Sequence, residues 1–463
     1  MSKKPLGLDK YGVQKVMRTG DYFADSLGQF SLNIISGLVG QLTYFYTDKV
    51  GIAAGAIATM LLICKMIDAF TDIFMGHIVD HTAPGKEKYR PWILRMAIPA
   101  AIVIISLFTV PKGWGETMQL GYLLITNVLL SAVIYAAICI PYSSILVVRT
   151  NSQEERGNMG IWRAASGYVS GMIIAVAVIP ITNALGGNQS AWIKMGAIFG
   201  LFIALALFIC YLKAKETAIG EGVQAEDIHD DETPVPFREA LKSLFGNKYW
   251  VMILIMNFCA NISYGIGGAS GTYYCKWIYG DDNLVAIQGA IGMIPTILGF
   301  VAVGPMSKKL GVTKTLRVSF LIGAIGTALR LFNPTHFVYN TTLSCFGTFA
   351  NIPMMCLMGV MSAMAIDYNE FKYGRRMVAT AQSACSFGNK VGSGIGASII
   401  GWCLGLAAYD GLATTVSPAV IQAIYTFSIY IPLILFIILF AFAMRFDLEK
   451  RLPEIQKEIA KRK

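Results

Sequence analysis

Apolar blocks longer than the roughly 18 to 20 residues needed to span a bilayer recur along this chain, for example at 161–182, 192–213 and 419–444. No arrangement of soluble domains buries so many blocks of that length. Only 14% of the residues are charged and 55% are apolar, against roughly 25% charged in a soluble domain. The chain therefore reads as a polytopic, all-α membrane protein, and a water-soluble enzyme is disfavoured. The net charge of +10 does not point to nucleic acid, because the basic residues cluster at the ends of apolar blocks and form no continuous stripe. The nine cysteines lie mostly inside apolar blocks without a CxxC pair, as small packing residues do.

Twelve spans are predicted, at 28–47, 54–79, 92–111, 119–148, 161–183, 192–213, 249–279, 284–304, 315–332, 337–366, 378–406 and 418–444. The division that follows is an N-terminal segment 1–27, a six-helix half 28–213, a linker 214–248, a second six-helix half 249–444 and a tail 445–463. The linker is acidic between Glu216 and Glu232 and continues into Thr233-Pro234-Val235-Pro236. With both termini cytoplasmic, the even loops and termini carry most of the 38 Lys and Arg, while the opposite side carries Lys49 and Lys112. The positive-inside rule selects that orientation. The polar N-terminus has no cleavable signal pattern, so the first helix is expected to act as its own insertion signal. Gly76 to Asp80 with Pro84-Gly85-Lys86 after span two, and Gly304 to Gly311 after span eight, are paired short turns. They suggest a duplicated six-helix unit of the kind that alternates access by rocking.

Nucleotide, zinc-protease and nucleophile-elbow motifs are absent, and the four histidines are dispersed. Gly265-Ile266-Gly267-Gly268 superficially resembles a phosphate loop but sits inside span seven, where close helix packing or local unwinding is the better reading. Gly392, Gly394 and Gly396 in span eleven read the same way. Tyr44, Phe45, Tyr46, Tyr273 and Tyr274 read as packing or interfacial residues ahead of sugar-stacking ones. Of 28 acidic residues, Asp68 and Asp72 stand out as lying deep in an apolar span. A charge at bilayer depth costs about 2.5–3.5 kcal/mol on insertion scales, so such residues face a cavity and mark an ion path. Their i, i+4 spacing puts both on one helix face with Lys65. A plain Lys65–Asp68 ion pair is the bland alternative, and it leaves Asp72 unexplained. Arg163 early in span five and Lys390 in mid-span eleven are the cations projecting from apolar surroundings; Arg163 also fits a snorkelling anchor.

The stretch from Asp68 to His77, DAFTDIFMGH, resembles the second helix of the glycoside-pentoside-hexuronide cation symporters, the melibiose carrier family. Tyr46-Thr47-Asp48, Gly85 to Trp92 (GKEKYRPW) and Asp367 to Lys372 (DYNEFK) are similar to further marks of that family. The resemblance implies a major-facilitator fold and cation-coupled uptake of a glycoside, pentoside or hexuronide. It implies a cation site at Asp68, Asp72 and Thr71, for H+ or Na+. It places Arg163 and Lys390 at the sugar cavity. Tyr135 and Pro141 keep the register of span four, in which the melibiose carrier's sugar-binding Asp falls on Cys139, its cation-site Thr on Ala136 and its stacking Trp on Ser143. Its span-one Asp falls near Leu32 or Asn33, which makes Asn33 the substitute. Melibiose itself is therefore disfavoured.

Lys65, Asp80, Arg90, Asp367, Glu370, Lys372 and Arg376 are the gate candidates, expected to pair across the halves in one state and part in the other. Retained cations with lost carboxylates favour a uronic sugar over a neutral one. Ala136 and Cys139 offer no side-chain oxygen, which favours protons over sodium. No cofactor besides the ion is expected, nor a nucleic-acid partner; the sugar and the bilayer are the partners, and a functional monomer in a plasma membrane, the inner one if bacterial, is the expected setting. An intramembrane enzyme using the span-two carboxylates, a symporter of a non-sugar solute and a channel are the rivals. The enzyme lacks an accompanying nucleophile or ligand set, and the channel lacks a filter.

Overall fold

In a computed structural model, residues 6–8, 14–80, 87, 89–150, 152–216, 244–373 and 378–462 are described, and they are helical almost throughout. We number the main helices in chain order. In the first part they are α1 (Thr19–Gly40), α2 (Ala54–Asp80), α3 (Arg90–Phe108), α4 (116–148), α5 (Gln153–Ala184) and α6 (Gln189–Lys213). In the second part they are α7 (Lys248–Gly267), α8 (Leu284–Leu310), α9 (Val312–Leu329), α10 (Phe337–Tyr373), α11 (Val378–Leu406), α12 (418–445) and α13 (Leu448–Arg462). Among the described residues 10 helices are long and apolar enough to cross a membrane. α1 and α11 fall outside that set, and they are helices that carry polar side chains: Asp25, Gln29 and Asn33 on one, Asn389, Lys390 and Ser393 on the other.

The first helix begins well before the expected start at 28. Thr19–Gly40 includes Asp21 and Asp25, and Asp25 is buried, so the N-terminal segment is shorter than the apolar pattern implied. Of the linker expected at 214–248, residues 217–243 lie outside the described residues, while Glu216 is buried and accepts from the start of α3. The tail expected at 445–463 holds α13, whose Leu448 and Ile455 enter the apolar core of the second part. Asp447, just before α13, accepts from Tyr249 Oη at 2.7 Å and pairs with Arg451 at 3.3 Å.

The chain forms two compact units. One comprises residues 1–52 and 63–229, the other 53–62 and 230–463. In the first unit α1 packs along α5 and α6, and α3 packs along α6; in the second α7 packs along α11, α8 along α10, and α9 along α10 and α12. Small residues allow these approaches: a side chain at Gly265 would run into the Ser393 carbonyl, and one at Gly396 into the Ile262 carbonyl. Gly265, Gly392 and Gly396 are thus packing residues, whereas Gly267 faces open space, and α7 breaks at Ala269 before resuming at Ser270–Tyr274. The tyrosines read as packing residues are buried, with Phe45 set 5.1 Å from both Phe108 and Trp192.

The units repeat each other in detail. Thr43-Tyr44-Phe45 and Thr272-Tyr273-Tyr274 both lead into a π-helical turn, Tyr46–Val50 and Cys275–Tyr279. Each turn ends on a left-handed glycine, Gly51 (φ 86°) and Gly280 (φ 80°), a conformation that a residue without Cβ adopts readily. A second match joins distant helices. Glu216, after α6, accepts the Tyr89 and Arg90 N–H groups at 2.6 and 2.7 Å, and Glu449, after α12, accepts those of Val312 and Thr313 at 2.7 and 2.8 Å. Each carboxylate satisfies otherwise orphaned donors where a helix dipole is positive. In return, Arg90 Nε donates to the Tyr211 carbonyl at 2.6 Å and Arg317 Nε to that of Ala443 at 2.8 Å.

Candidate functional site

In the first unit, α2 carries the sequence-predicted carboxylates. Asp68 is buried and lies 3.6 Å from Lys65 Nζ one turn earlier, so the ion pair exists. A carboxylate has more lone pairs than one ammonium uses, so this pair is compatible with a further ligand. The Thr71 hydroxyl donates to the Ile67 and Asp68 carbonyls, both at 3.1 Å, which leaves its oxygen as an acceptor beside Asp68. Oxygen donors of this kind fit a hard cation. Asp72 follows on the same helix, but its side chain lies outside the described residues, as does that of Asp80.

Arg163 requires a correction. Its Nε and Nη2 donate to both carboxylate oxygens of Asp25, at 2.7 and 2.9 Å, in a fork-to-fork pair whose side chains are 11% and 4% exposed. The guanidinium also lies 3.8 Å from the Tyr142 ring centre, and Tyr142 Oη donates to the Asp25 carbonyl at 2.9 Å. Gly28 leaves the space that the Tyr142 ring occupies. The counter-charge assigned to a substrate is therefore supplied by the protein, and neither a snorkelling anchor nor a waiting anion site describes Arg163. Asp25 was missed because the polar start of α1 breaks the apolar pattern. Its available signal was the i, i+4, i+8 spacing of Asp25, Gln29 and Asn33, one stripe on a helix.

Asn33 sits further along that stripe. It accepts from Gln29 Nε2 and donates to the Gly167 carbonyl, both at 3.0 Å. On α4, Leu129–Tyr135 is π-helical, an irregularity common at functional sites. Tyr135 and Cys139 are half-buried, and Ser143 is exposed with its hydroxyl bonded to the Cys139 carbonyl at 2.8 Å.

In the second unit α11 carries the other cation predicted from the sequence. Lys390 is half-buried at its middle, beside the exposed Asn389. Asn257 and Asn261 of α7 both donate to Asn389 Oδ1, the latter at 3.0 Å. This amide cluster was not anticipated. Asparagines do not interrupt an apolar block as charges do, and their meeting requires the α7–α11 contact.

The gate candidates divide. Arg90 is engaged inside its unit by Glu87 at 2.6 Å, the Tyr211 carbonyl and the Tyr211 ring. It serves the α3–α6 clamp. Lys372 donates to the Gly246 carbonyl at 3.1 Å, again inside its own unit. Asp367 and Glu370 are half-buried near the end of α10, and Arg376 lies outside the described residues.

Comparison with known proteins gives a consistent picture. Residues 26–450 match the family model described as MFS/sugar transport protein. The isoprimeverose transporter of Lactiplantibacillus pentosus is 28% identical over 397 residues, covering 84% of this chain and 80% of that protein. The glucuronide carrier protein homolog of Escherichia coli K12 is 27% identical over 455 residues, 95% and 94% of the two chains. Among solved structures, nucleoside transporter NupG superposes with a TM-score of 0.64 at 11% identity, covering 93% of this chain and all of that one; at that identity the likeness concerns the fold.

Proposed function

This chain belongs to the MFS/sugar transport protein family, and from that membership we propose that it is a secondary transporter carrying a sugar in symport with a cation, not an enzyme. The observation that carries the reading is the buried α2 carboxylate Asp68, paired with Lys65, on the same helix as Thr71 and Asp72. Relatives named as symporters or sugar carriers support it. The architecture proposed is twelve transmembrane helices in two six-helix halves, α1 and α11 being the polar members, with both termini cytoplasmic. The orientation rests on the distribution of Lys and Arg.

Asp68, Asp72 and Thr71 form the ion site in this reading. Protons are preferred over sodium, because α4 presents Ala136 and Cys139 where further oxygens would complete a sodium shell. The preference for a uronic sugar is withdrawn: it rested on two uncompensated cations, and Asp25 neutralises one of them. A neutral glycoside or pentoside is the better reading, with Lys390 beside it. Asp367, Glu370 and Arg376 remain the proposed gate charges near the α10–α11 turn, with Asp80 on α2.

The test is uptake into proteoliposomes of a panel of methyl xyloside, methyl glucoside and methyl glucuronide, driven by a proton gradient or a sodium gradient alone. Uphill accumulation of one of them is expected, together with its loss in Asp68→Asn and Asp72→Asn while downhill exchange persists. If no sugar accumulates under either gradient, the symporter reading fails; full accumulation by both variants would reject the ion site.

A further inference from the structure

The amide cluster of the second unit has a direction. Asn389 Oδ1 accepts from Asn261 Nδ2 at 3.0 Å and from Asn257 Nδ2. Asn257 Nδ2 also reaches the Cys385 carbonyl at 3.4 Å, and Asn261 Nδ2 the Asn257 carbonyl at 2.8 Å. Each amide has one acceptor oxygen and one NH2 group, so these bonds fix which end of each faces inward. The Asn389 NH2 group and Asn261 Oδ1 face away from the network, and among the described residues neither is bonded. Asn389 is exposed and Asn261 half-buried, midway along α11 and α7. An amide exposed at that depth would be costly against hydrocarbon, so it faces water or a polar solute.

We propose that Asn389 Nδ2 and Asn261 Oδ1 are a donor–acceptor pair that reads two neighbouring hydroxyls of the transported sugar, and that Asn257 is a positioning residue holding Asn389 in that orientation. This deepens the symporter reading and rests on it. A hydroxyl both donates and accepts, so two adjacent hydroxyls can satisfy one NH2 group and one amide oxygen together. A carboxylate, which only accepts, would leave the Asn261 oxygen facing another acceptor. The pair therefore selects polyhydroxylated neutral rings. On α1 Asn33 offers no such pair, because it uses both amide ends on Gln29 and Gly167.

The experiment measures counterflow exchange in proteoliposomes, which needs no ion gradient, using whichever of methyl xyloside, methyl glucoside and methyl glucuronide the unaltered protein exchanges, and its single-deoxy analogues. Loss of one hydrogen bond is expected to raise the half-saturation concentration about tenfold. Asn389→Ala should show that rise with the parent sugar and lose discrimination against one deoxy analogue, with the maximal rate retained. Asn257→Ala should shift the same way by less. Asn389→Cys should react with a maleimide and be protected by the parent sugar, which keeps the idea testable if the alanine variant folds poorly. Unchanged half-saturation and discrimination in Asn389→Ala, or no protection of Asn389→Cys, overturns the assignment while leaving transport intact. Absence of exchange by the unaltered protein overturns the symporter reading instead.

Discussion

At the residue scale, the Asp25–Arg163 pair changes what the buried charges mean. Removing one partner of a buried, hydrogen-bonded pair leaves the other uncompensated, at a cost of about 3–5 kcal/mol. Asp25→Asn should therefore lower the melting temperature of the detergent-solubilised protein markedly. Asp25→Asn combined with Arg163→Gln should recover much of the loss, because the stranded charge goes too. Were Arg163 held mainly for a substrate carboxylate, Asp25→Asn would instead leave stability near normal and raise glucuronide uptake. Thermal unfolding of the single and double variants decides between these outcomes. The sequence made Asp68 legible because a carboxylate inside an apolar block has no mundane explanation. It hid Asp25 because polar residues at a helix start look like loop, and it is the Tyr142 ring, the Arg163 fork and the packing of α1 on α5 and α6 that bury it. Spacing within one segment cannot report a partner supplied by another.

At the element scale, the two carboxylate clamps are a stability device repeated in each unit. A side-chain cap on a helix start contributes about 1–2 kcal/mol, and here one carboxylate takes two donors with a helix dipole behind them. Glu216→Gln and Glu449→Gln should each destabilise modestly, since the amide oxygen still accepts, and the corresponding alanine variants should do so more strongly. Melting curves in detergent provide the check; an alanine variant as stable as the parent would show that water replaces the clamp at no cost. Arrangement in helices was readable from the apolar blocks, with most ends displaced by a few residues. The internal repeat is legible in the equal spacing of Thr43, Tyr44 and Gly51 with Thr272, Tyr273 and Gly280, while the expected turn at 84–86 lies outside the described residues. The clamps were not legible, since Glu216 is one acid in an acidic stretch and Glu449 one in a charged tail. Only the fold selects them.

At the scale of the whole molecule, α2 is shared between the units. Residues 53–62 pack with the second unit, whereas Asp68 lies with the first. In the second unit the attachment is close: Ser398 Oγ donates to the Ala58 carbonyl at 2.9 Å, Trp402 Nε1 to Thr59 Oγ1 at 3.2 Å, and a Cβ at Gly401 would sit 2.5 Å from the Ala54 oxygen and 2.6 Å from Ala58 Cβ. If the transport cycle requires the first turns of α2 to leave Gly401 and Gly405, they detach as a discrete step, because a packed contact has discrete arrangements rather than a continuous range. Gly401→Val removes the room for the attached arrangement, so it should bias the protein towards the detached one. In a background where Gly55→Cys reports on that surface, Gly401→Val should raise labelling by a membrane-impermeant maleimide several-fold and depress uphill accumulation, while Asp68 remains in place. Unchanged labelling with normal accumulation would show that the attachment does not take part in the transport cycle.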